Sequence, residues 1–180
     1  MGDIASYSDT RVDASLLNAK SYIGVDNLLP DRKGKTDSLY VPTEGKCVQF
    51  KTNNILIGNI RPYLKKVWYA DCDGGTNGDV LVVQANNDCV QSRFLYYVLS
   101  SDKFFAYDMQ HSKGAKMPRG NKEEVLNYTF CLPPIEEQNC IVAILDRFDK
   151  LCNDISEGLP AEIEAWQKQY EYYRDKLLQF

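Results

Sequence analysis

A narrow apolar stripe near the C-terminal end constrains the fold more than any other feature of this 180-residue sequence. Its members are separated alternately by three and four residues: Ile141, Ile144, Phe148, Leu151 and Ile155, then Ile163, Trp166, Tyr170, Tyr173, Leu177 and Phe180. This spacing matches the a and d positions of heptads, which recur on one face of a helix. The stripe therefore predicts a long helical segment.

A break divides this segment into two helices. Ile155 and Ile163 are eight residues apart, one more than a heptad, and Gly158 and Pro160 lie between them. Glycine commonly ends a helix, and proline is accepted in a first helical turn. We predict helices over about 135–156 and 160–179.

The apolar face of these helices is narrow and their other faces are charged, which favours packing against another helix in water. The residues predicted to form this dimer or partner contact are Ile144, Phe148, Leu151, Ile163, Trp166, Tyr170, Tyr173 and Leu177. A helical hairpin folded back on the body of the same chain is the alternative.

In the preceding part of the chain, short apolar runs alternate with short polar or glycine-rich stretches. Four runs predict β-strands: Lys46–Phe50, Ile55–Ile60, Lys66–Ala70 and Val80–Gln84. They follow one another without helices between them, which favours an antiparallel arrangement. The glycine-rich stretch 73–78 is interpreted as a turn between strands.

Two further elements complete this body. Gln91–Gln110 predicts helix, with a restart at Ser101, a good N-cap residue. A last predicted strand, Tyr128–Leu132, meets a pair of prolines that cannot continue a ladder. We therefore predict an α+β fold in which a mixed globular domain, residues 1–133, has a largely antiparallel sheet and helices. A coiled-coil-like helical arm of two segments, residues 134–180, follows it.

Charge is distributed unevenly between these two regions. The net charge of −4 comes from residues 134–180, where ten acidic and five basic residues give −5, whereas residues 1–133 carry +1. A neutral body with local basic clusters is compatible with nucleic acid, since binding depends on local charge.

Several classes of protein are disfavoured. No apolar run is long enough for a membrane helix, and no secretory leader is visible at Met1. Six scattered cysteines form no C-x-x-C pair, and His111 is the only histidine, so we expect no metal site, reduced thiols and a cytoplasmic location. Phosphate-binding, hydrolase and metalloprotease signatures are absent from the sequence, which leaves no catalytic residues to propose.

Two clusters suit the binding of nucleic acid. Residues 113–122 carry Lys113, Lys116, Arg119 and Lys122 among glycines that let a backbone approach phosphate. Residues 59–66 carry Asn59, Arg61, Lys65 and Lys66, and asparagine and arginine can pair with base edges. A solvated loop and a charged strand end are the alternative interpretations of these two clusters.

These stretches resemble one known family. Residues 57–66 (IGNIRPYLKK), 74–79 (GGTNGD), 112–120 (SKGAKMPRG), 132–138 (LPPIEEQ), 157–163 (EGLPAEI) and 169–178 (QYEYYRDKLL) are similar to the DNA specificity subunits of type I restriction–modification systems. The resemblance covers nearly the whole chain. It implies a target recognition domain that reads double-stranded DNA, followed by a helical spacer. It also adds Asn77 to the predicted DNA contacts in the two basic clusters.

The resemblance also implies partners. Such subunits are not catalytic; they position methylation subunits, which bind S-adenosylmethionine, and in some systems a restriction subunit. Family members usually carry two recognition domains and two spacers, whereas this sequence has one of each, so we expect a homodimer that reads a bipartite site. The alternative function is a helical assembly protein without DNA affinity of its own.

Overall fold

The computed structural model describes residues 1–149. The chain divides into two compact units, Met1–Asn139 and Cys140–Phe180, so the second unit is described only over residues 140–149. The predicted domain boundary between residues 133 and 134 remains a prediction.

The described strands form two antiparallel sheets. They are β1 (Ala5–Tyr7), β2 (Arg11–Asp13), β3 (Lys46–Phe50), β4 (Ile55–Gly58), β5 (Val67–Tyr69), β6 (Gly74–Thr76) and β7 (Val80–Ala85). One sheet has the order β1-β7-β4-β5 and the other the order β2-β3-β6. Every ladder between these strands is antiparallel, as the sequence predicted.

Helices follow the last strand. They are α1 (Ser92–Leu99), α2 (Asp102–Gln110) and α3 (Lys122–Asn127), and residues 135–149 are helical up to the last described position. The predicted restart at Ser101 is confirmed, because its hydroxyl accepts a hydrogen bond from the Phe104 N–H at 3.2 Å. The mixed α+β class is thus confirmed for the described residues.

The four-stranded sheet is apolar on both faces, which explains why its strands are nearly continuous apolar runs. On one face Ile55, Ile57 and Leu81 pack in a cluster that includes Phe104 and Phe105 of α2. On the other face Leu56, Val80 and Val82 pack with Phe50 and Trp68. Neighbouring residues of β4 and β7 therefore face different halves of the core, as the strand period of two requires.

The glycine-rich stretch was interpreted as a turn, and that was wrong for residues 74–76, which form strand β6 against β3. A Cβ on Gly74 would lie 2.6 Å from Cζ of Phe50, and one on Gly75 would lie 2.6 Å from Cδ1 of Leu17. These glycines are required because neighbouring groups approach the strand too closely for a side chain.

The predicted strand Tyr128–Leu132 is also wrong, because these residues have no ladder partner in the structure. The Tyr128 ring instead packs on Phe104 and Tyr107, with ring centroids 5.3 Å and 5.1 Å away. Its carbonyl accepts a hydrogen bond from the N-terminal amine of Met1 at 2.9 Å. Aromatic packing and the following prolines thus keep this segment out of both sheets.

The helix predicted to begin near residue 135 begins there. Its predicted continuation to about 156, and the second helix over about 160–179, lie outside the described residues. Within residues 1–149 no helix is both long and apolar enough to cross a membrane.

Candidate nucleic-acid interface

Backbone hydrogen bonds join the two basic clusters that the sequence singled out. The Gly120 N–H donates to the Asn59 carbonyl at 3.0 Å, and the Arg61 N–H donates to the Pro118 carbonyl at 2.7 Å. Lys113 and Arg119 exchange two further hydrogen bonds of 2.9 Å, so residues 113–119 form a closed loop. Segments more than fifty residues apart in sequence are therefore brought together at the end of β4.

The joined segments carry a basic surface, which we define as Arg61, Lys113, Lys116, Arg119 and Lys122. All five side chains belong to exposed residues. Arg119 also forms an ion pair with Asp79, with 3.1 Å between Nη1 and Oδ1. Lys122 begins α3, whose first turn is capped by Asn121 through a 3.2 Å hydrogen bond from the Glu123 N–H.

Asn59, which was predicted among the DNA contacts, has a nearly buried side chain. It is only 6% exposed, and its Oδ1 would lie 2.7 Å from a Cβ added to Gly120. Asn59 also lines a depression over residues 113–123, so its contact with DNA stays a prediction. Its side chain forms the floor beneath Gly120.

Asp108 of α2 completes this floor. It is 2% exposed, and its Oδ1 would lie 2.6 Å from the same added Cβ on Gly120. Within the described residues neither this oxygen nor Oδ1 of Asn59 has a hydrogen-bond partner. Burial raises the pKa of Asp108 to about 6, and the nearby His111 lowers it by a smaller amount.

Tyr7 of β1 lies against the same floor. Its hydroxyl donates to the Lys122 carbonyl at 2.7 Å and so ties β1 to the start of α3. Burial, with a smaller effect from the charge of Asp108, raises the pKa of Tyr7. The phenol therefore stays protonated and remains a hydrogen-bond donor at neutral pH.

Lys65 and Lys66 are half-buried, and their ammonium groups already have partners in the protein. Nζ of Lys65 lies 2.8 Å from Oδ1 of Asp102, a carboxylate that also pairs with Arg32. Nζ of Lys66 donates to the Val25 carbonyl at 2.7 Å, and burial lowers the pKa of its ammonium. Both lysines were predicted to contact DNA beside Arg61, and that stays a prediction.

Three adjoining depressions form a groove, and four residues of the basic surface line it: Arg61, Lys113, Arg119 and Lys122. The central one includes Arg61, Lys66, Asn77, Asp79 and Met117 in its lining. A second, over residues 36–40, shares Val25, Asp26 and Asn77 with it. A third, over residues 113–123, shares Met117 with the central one.

Asn77 lies where two of these depressions meet. Its Oδ1 accepts a hydrogen bond from the Asp79 N–H at 3.1 Å, and its side chain also hydrogen-bonds Tyr22. Asn77 was predicted from the sequence, whereas Asp79, which forms the ion pair with Arg119, was not. A carboxylate between Gly78 and Val80 carried no signal by itself, since its arginine partner is forty residues away.

The predicted helix contact is described only in part. Ile144 and Phe148 are 52% and 61% exposed. The other predicted contact residues lie outside the described residues: Leu151, Ile163, Trp166, Tyr170, Tyr173 and Leu177.

In the described part of the chain, no three His, Cys, Asp or Glu residues are grouped closely enough to hold a metal ion. Cys47, Cys72, Cys89, Cys131 and Cys140 are free thiols.

Comparison with known proteins identifies the family. The family model described as the type I restriction modification DNA specificity domain matches residues 17–165. The chain belongs to this DNA specificity family. The match includes both the groove and the start of the helical stripe.

Curated members of the specificity family are similar in sequence. The chain is 40% identical over 88 residues to the type I restriction enzyme EcoR124I/EcoR124II specificity subunit of Escherichia coli, covering 49% of this chain and 22% of that protein. It is 35% identical over 138 residues to a putative type I specificity subunit of Mycoplasma pneumoniae, covering 70% of this chain and 45% of the relative. The chain thus spans less than half the length of these relatives.

Solved structures show the same fold. The HsdS subunit from Thermoanaerobacter tengcongensis superposes with a TM-score of 0.71 at 20% identity, over 94% of this chain and 45% of that one. The S subunit of a type I restriction-modification system from M. genitalium gives a TM-score of 0.55 at 17% identity, over 98% and 44% of the two chains.

Proposed function

We propose that this chain binds double-stranded DNA, reads its sequence and positions separate methylation subunits, and in some complexes a restriction subunit. The methyl donor, S-adenosylmethionine, would be bound by the methylation subunit. The observation that carries the proposal is the junction of residues 59–61 with residues 113–120, which builds one basic surface from two distant segments. Membership of the DNA specificity family supports the same function.

The basic surface suits the phosphate backbone of a duplex. Lysine and arginine side chains release condensed counterions when they neutralise phosphates, and this release supplies much of the affinity for DNA. The closed loop 113–119 fixes where Lys113 and Lys116 emerge, because its ends are hydrogen-bonded to each other. A fixed loop loses less conformational entropy on binding than a mobile one.

The groove suits base edges. Arg61 and Asn77 line its central depression, and these two residue types pair in two-point contacts with guanine and adenine. Contacts to phosphate set the register of the protein on the duplex, whereas contacts to base edges select the sequence. We therefore assign positioning to Lys113, Lys116, Arg119 and Lys122, and selection to Arg61 and Asn77.

Duplex binding by substituted chains tests this proposal. Lys116→Ala combined with Arg119→Ala should weaken binding of a labelled duplex at least tenfold at low salt, because two phosphate contacts are lost. Arg11→Ala combined with Lys51→Ala removes the same charges from exposed positions outside the groove. This control should bind like the parent. If the two double variants bind equally well, the basic surface does not contact DNA.

We further propose that two copies pair through the apolar stripe of their helical segments. Exposure of Ile144 and Phe148 supports this, since burying side chains of this size contributes about 1.5–3 kcal/mol each. Identical chains most often form a closed two-fold dimer. Two recognition units held at a fixed separation would then read two inverted half-sites around an unread spacer.

A further inference from the structure

Leu39 and Tyr40 are adjacent large side chains that lie almost wholly in solvent. Their exposed fractions are 105% and 76%. Single exposed apolar residues are common on protein surfaces and need no explanation. Leu39 and Tyr40, however, are neighbours at the tip of one loop and form an apolar projection together.

The loop that carries them is pinned to the protein. Ser38 is buried, its N–H donates to the Ala19 carbonyl at 2.7 Å, and its hydroxyl donates to the Tyr40 carbonyl. The Thr36 N–H donates to the Asn27 carbonyl at 2.9 Å. These bonds hold the backbone on the N-terminal side of the tip, so the two side chains are held out into water by the fold.

The tip lies at one end of the groove. Leu39 and Tyr40 line the depression that shares Val25, Asp26 and Asn77 with the central one. Tyr22 lines the same depression as Tyr40 and hydrogen-bonds Asn77. A continuous surface therefore runs from the tip through Asn77 to Arg61 and the basic surface.

We propose that Leu39 and Tyr40 contact the bases of the bound duplex and determine part of the sequence that this chain selects. The inference rests on the proposed DNA binding and extends it to a second, uncharged contact. Apolar side chains discriminate bases by contact with the thymine methyl group, and aromatic or aliphatic side chains can also wedge between base steps. Continuity with the groove favours DNA over a protein partner as the occupant.

Absence of charge at the tip separates its role from that of the basic surface. Removing a lysine that contacts phosphate lowers the salt dependence of binding, whereas removing an uncharged base contact leaves that dependence unchanged. The loop tip should therefore affect sequence preference without affecting the slope of affinity against salt.

Selection from a random duplex library tests the proposal. The full chain, a Leu39→Ala/Tyr40→Ala variant and a Leu16→Ala control are each used to enrich bound duplexes, which are then sequenced. Leu16 is 75% exposed and lines none of the three depressions. We expect the parent and the control to enrich one motif. The loop variant should lose about tenfold discrimination at a contiguous part of that motif, with an unchanged salt slope.

Two outcomes are distinguishable. A parent chain that enriches no motif, in a selection where a known DNA-binding protein does, contradicts the proposed DNA reading itself. A loop variant that enriches the same motif with the same base frequencies as the parent overturns the role of Leu39 and Tyr40 alone. An unchanged motif would overturn that role even if the variant associated less well with a protein partner.

Discussion

Asp108 lies in an environment that disfavours its charged form. Its carboxylate is buried beneath Gly120 and beside Asn59, and this burial raises its pKa to about 6. In an unfolded chain an aspartate titrates at about 3.9. The folded state therefore holds the proton more tightly. The resulting stabilisation is complete below about pH 4 and is lost as the pH rises through about 6.

Asp108→Asn should remove this pH dependence while keeping the shape of the side chain. We expect the free energy of unfolding of the variant, relative to the parent, to rise by about 2 kcal/mol between about pH 4 and pH 7.5. Urea unfolding of both proteins at a series of pH values measures the difference. A difference that is constant across this range would show that Asp108 is not held at a raised pKa.

Gly120 is required because of what lies beneath it. A methyl group there would approach Oδ1 of Asp108 and Oδ1 of Asn59 at 2.6 Å and 2.7 Å. Gly120→Ala should lower the free energy of unfolding by about 1–3 kcal/mol and weaken DNA binding, since the loop must shift. Gly78→Ala is the matched control, because nothing lies within 4 Å of its added Cβ. Equal denaturant midpoints for the two variants would contradict this account.

At the scale of elements, the side chain of Gln138 joins the stretch 132–138 to the residues that precede α1. It is fully buried, and its Nε2 donates to the carbonyls of Cys89 and Pro133 at 2.7 Å and 2.8 Å. Its Oε1 accepts from the Gln91 N–H, just before α1, at 2.9 Å. One amide thus fixes the first turn of the helix at residue 135 to the start of α1.

Gln138→Ala should lower the free energy of unfolding by about 1–3 kcal/mol, since it leaves three partly buried backbone groups without partners and opens a cavity. The neighbouring Asn139 is exposed, so Asn139→Ala should change stability little. Thermal unfolding of both variants makes the comparison. Similar midpoints would mean that the hydrogen bonds of Gln138 do not stabilise the fold.

Elements with a strong local pattern were predictable from the sequence, and those defined by distant contacts were not. Strand β3 and the break at Ser101 follow from apolar spacing and capping chemistry. Strand β6 was missed because its glycines, which let neighbouring groups approach the strand closely, look like turn residues when only the sequence is known. In the site, the exposed lysines were predictable, whereas the burial of Asn59 and the pairing of Arg119 with Asp79 depend on segments far apart in the chain.

At the scale of the whole molecule, the proposed pairing through the apolar stripe should depend on Phe148. Phe148→Asp places a charge on the exposed stripe, so we expect a parent that is dimeric at tens of micromolar and a variant that is monomeric. Light scattering across a range of concentrations measures both masses. Glu136 is an exposed residue outside the stripe, and Glu136→Gln should leave the dimer intact. A parent that stays monomeric would contradict both the proposed dimer and the proposed reading of a bipartite site.

The central claim is that the basic surface binds duplex DNA, and the salt dependence of binding tests it most directly. Affinity of the parent for a labelled duplex should fall linearly with salt on logarithmic axes, and each phosphate contact removed should reduce the slope by about 0.9. We therefore expect Lys113→Ala and Lys116→Ala to lower the slope by about one unit each and Lys51→Ala to leave it unchanged. A slope that is the same in all four proteins, or a parent without duplex affinity at low salt, would contradict the account.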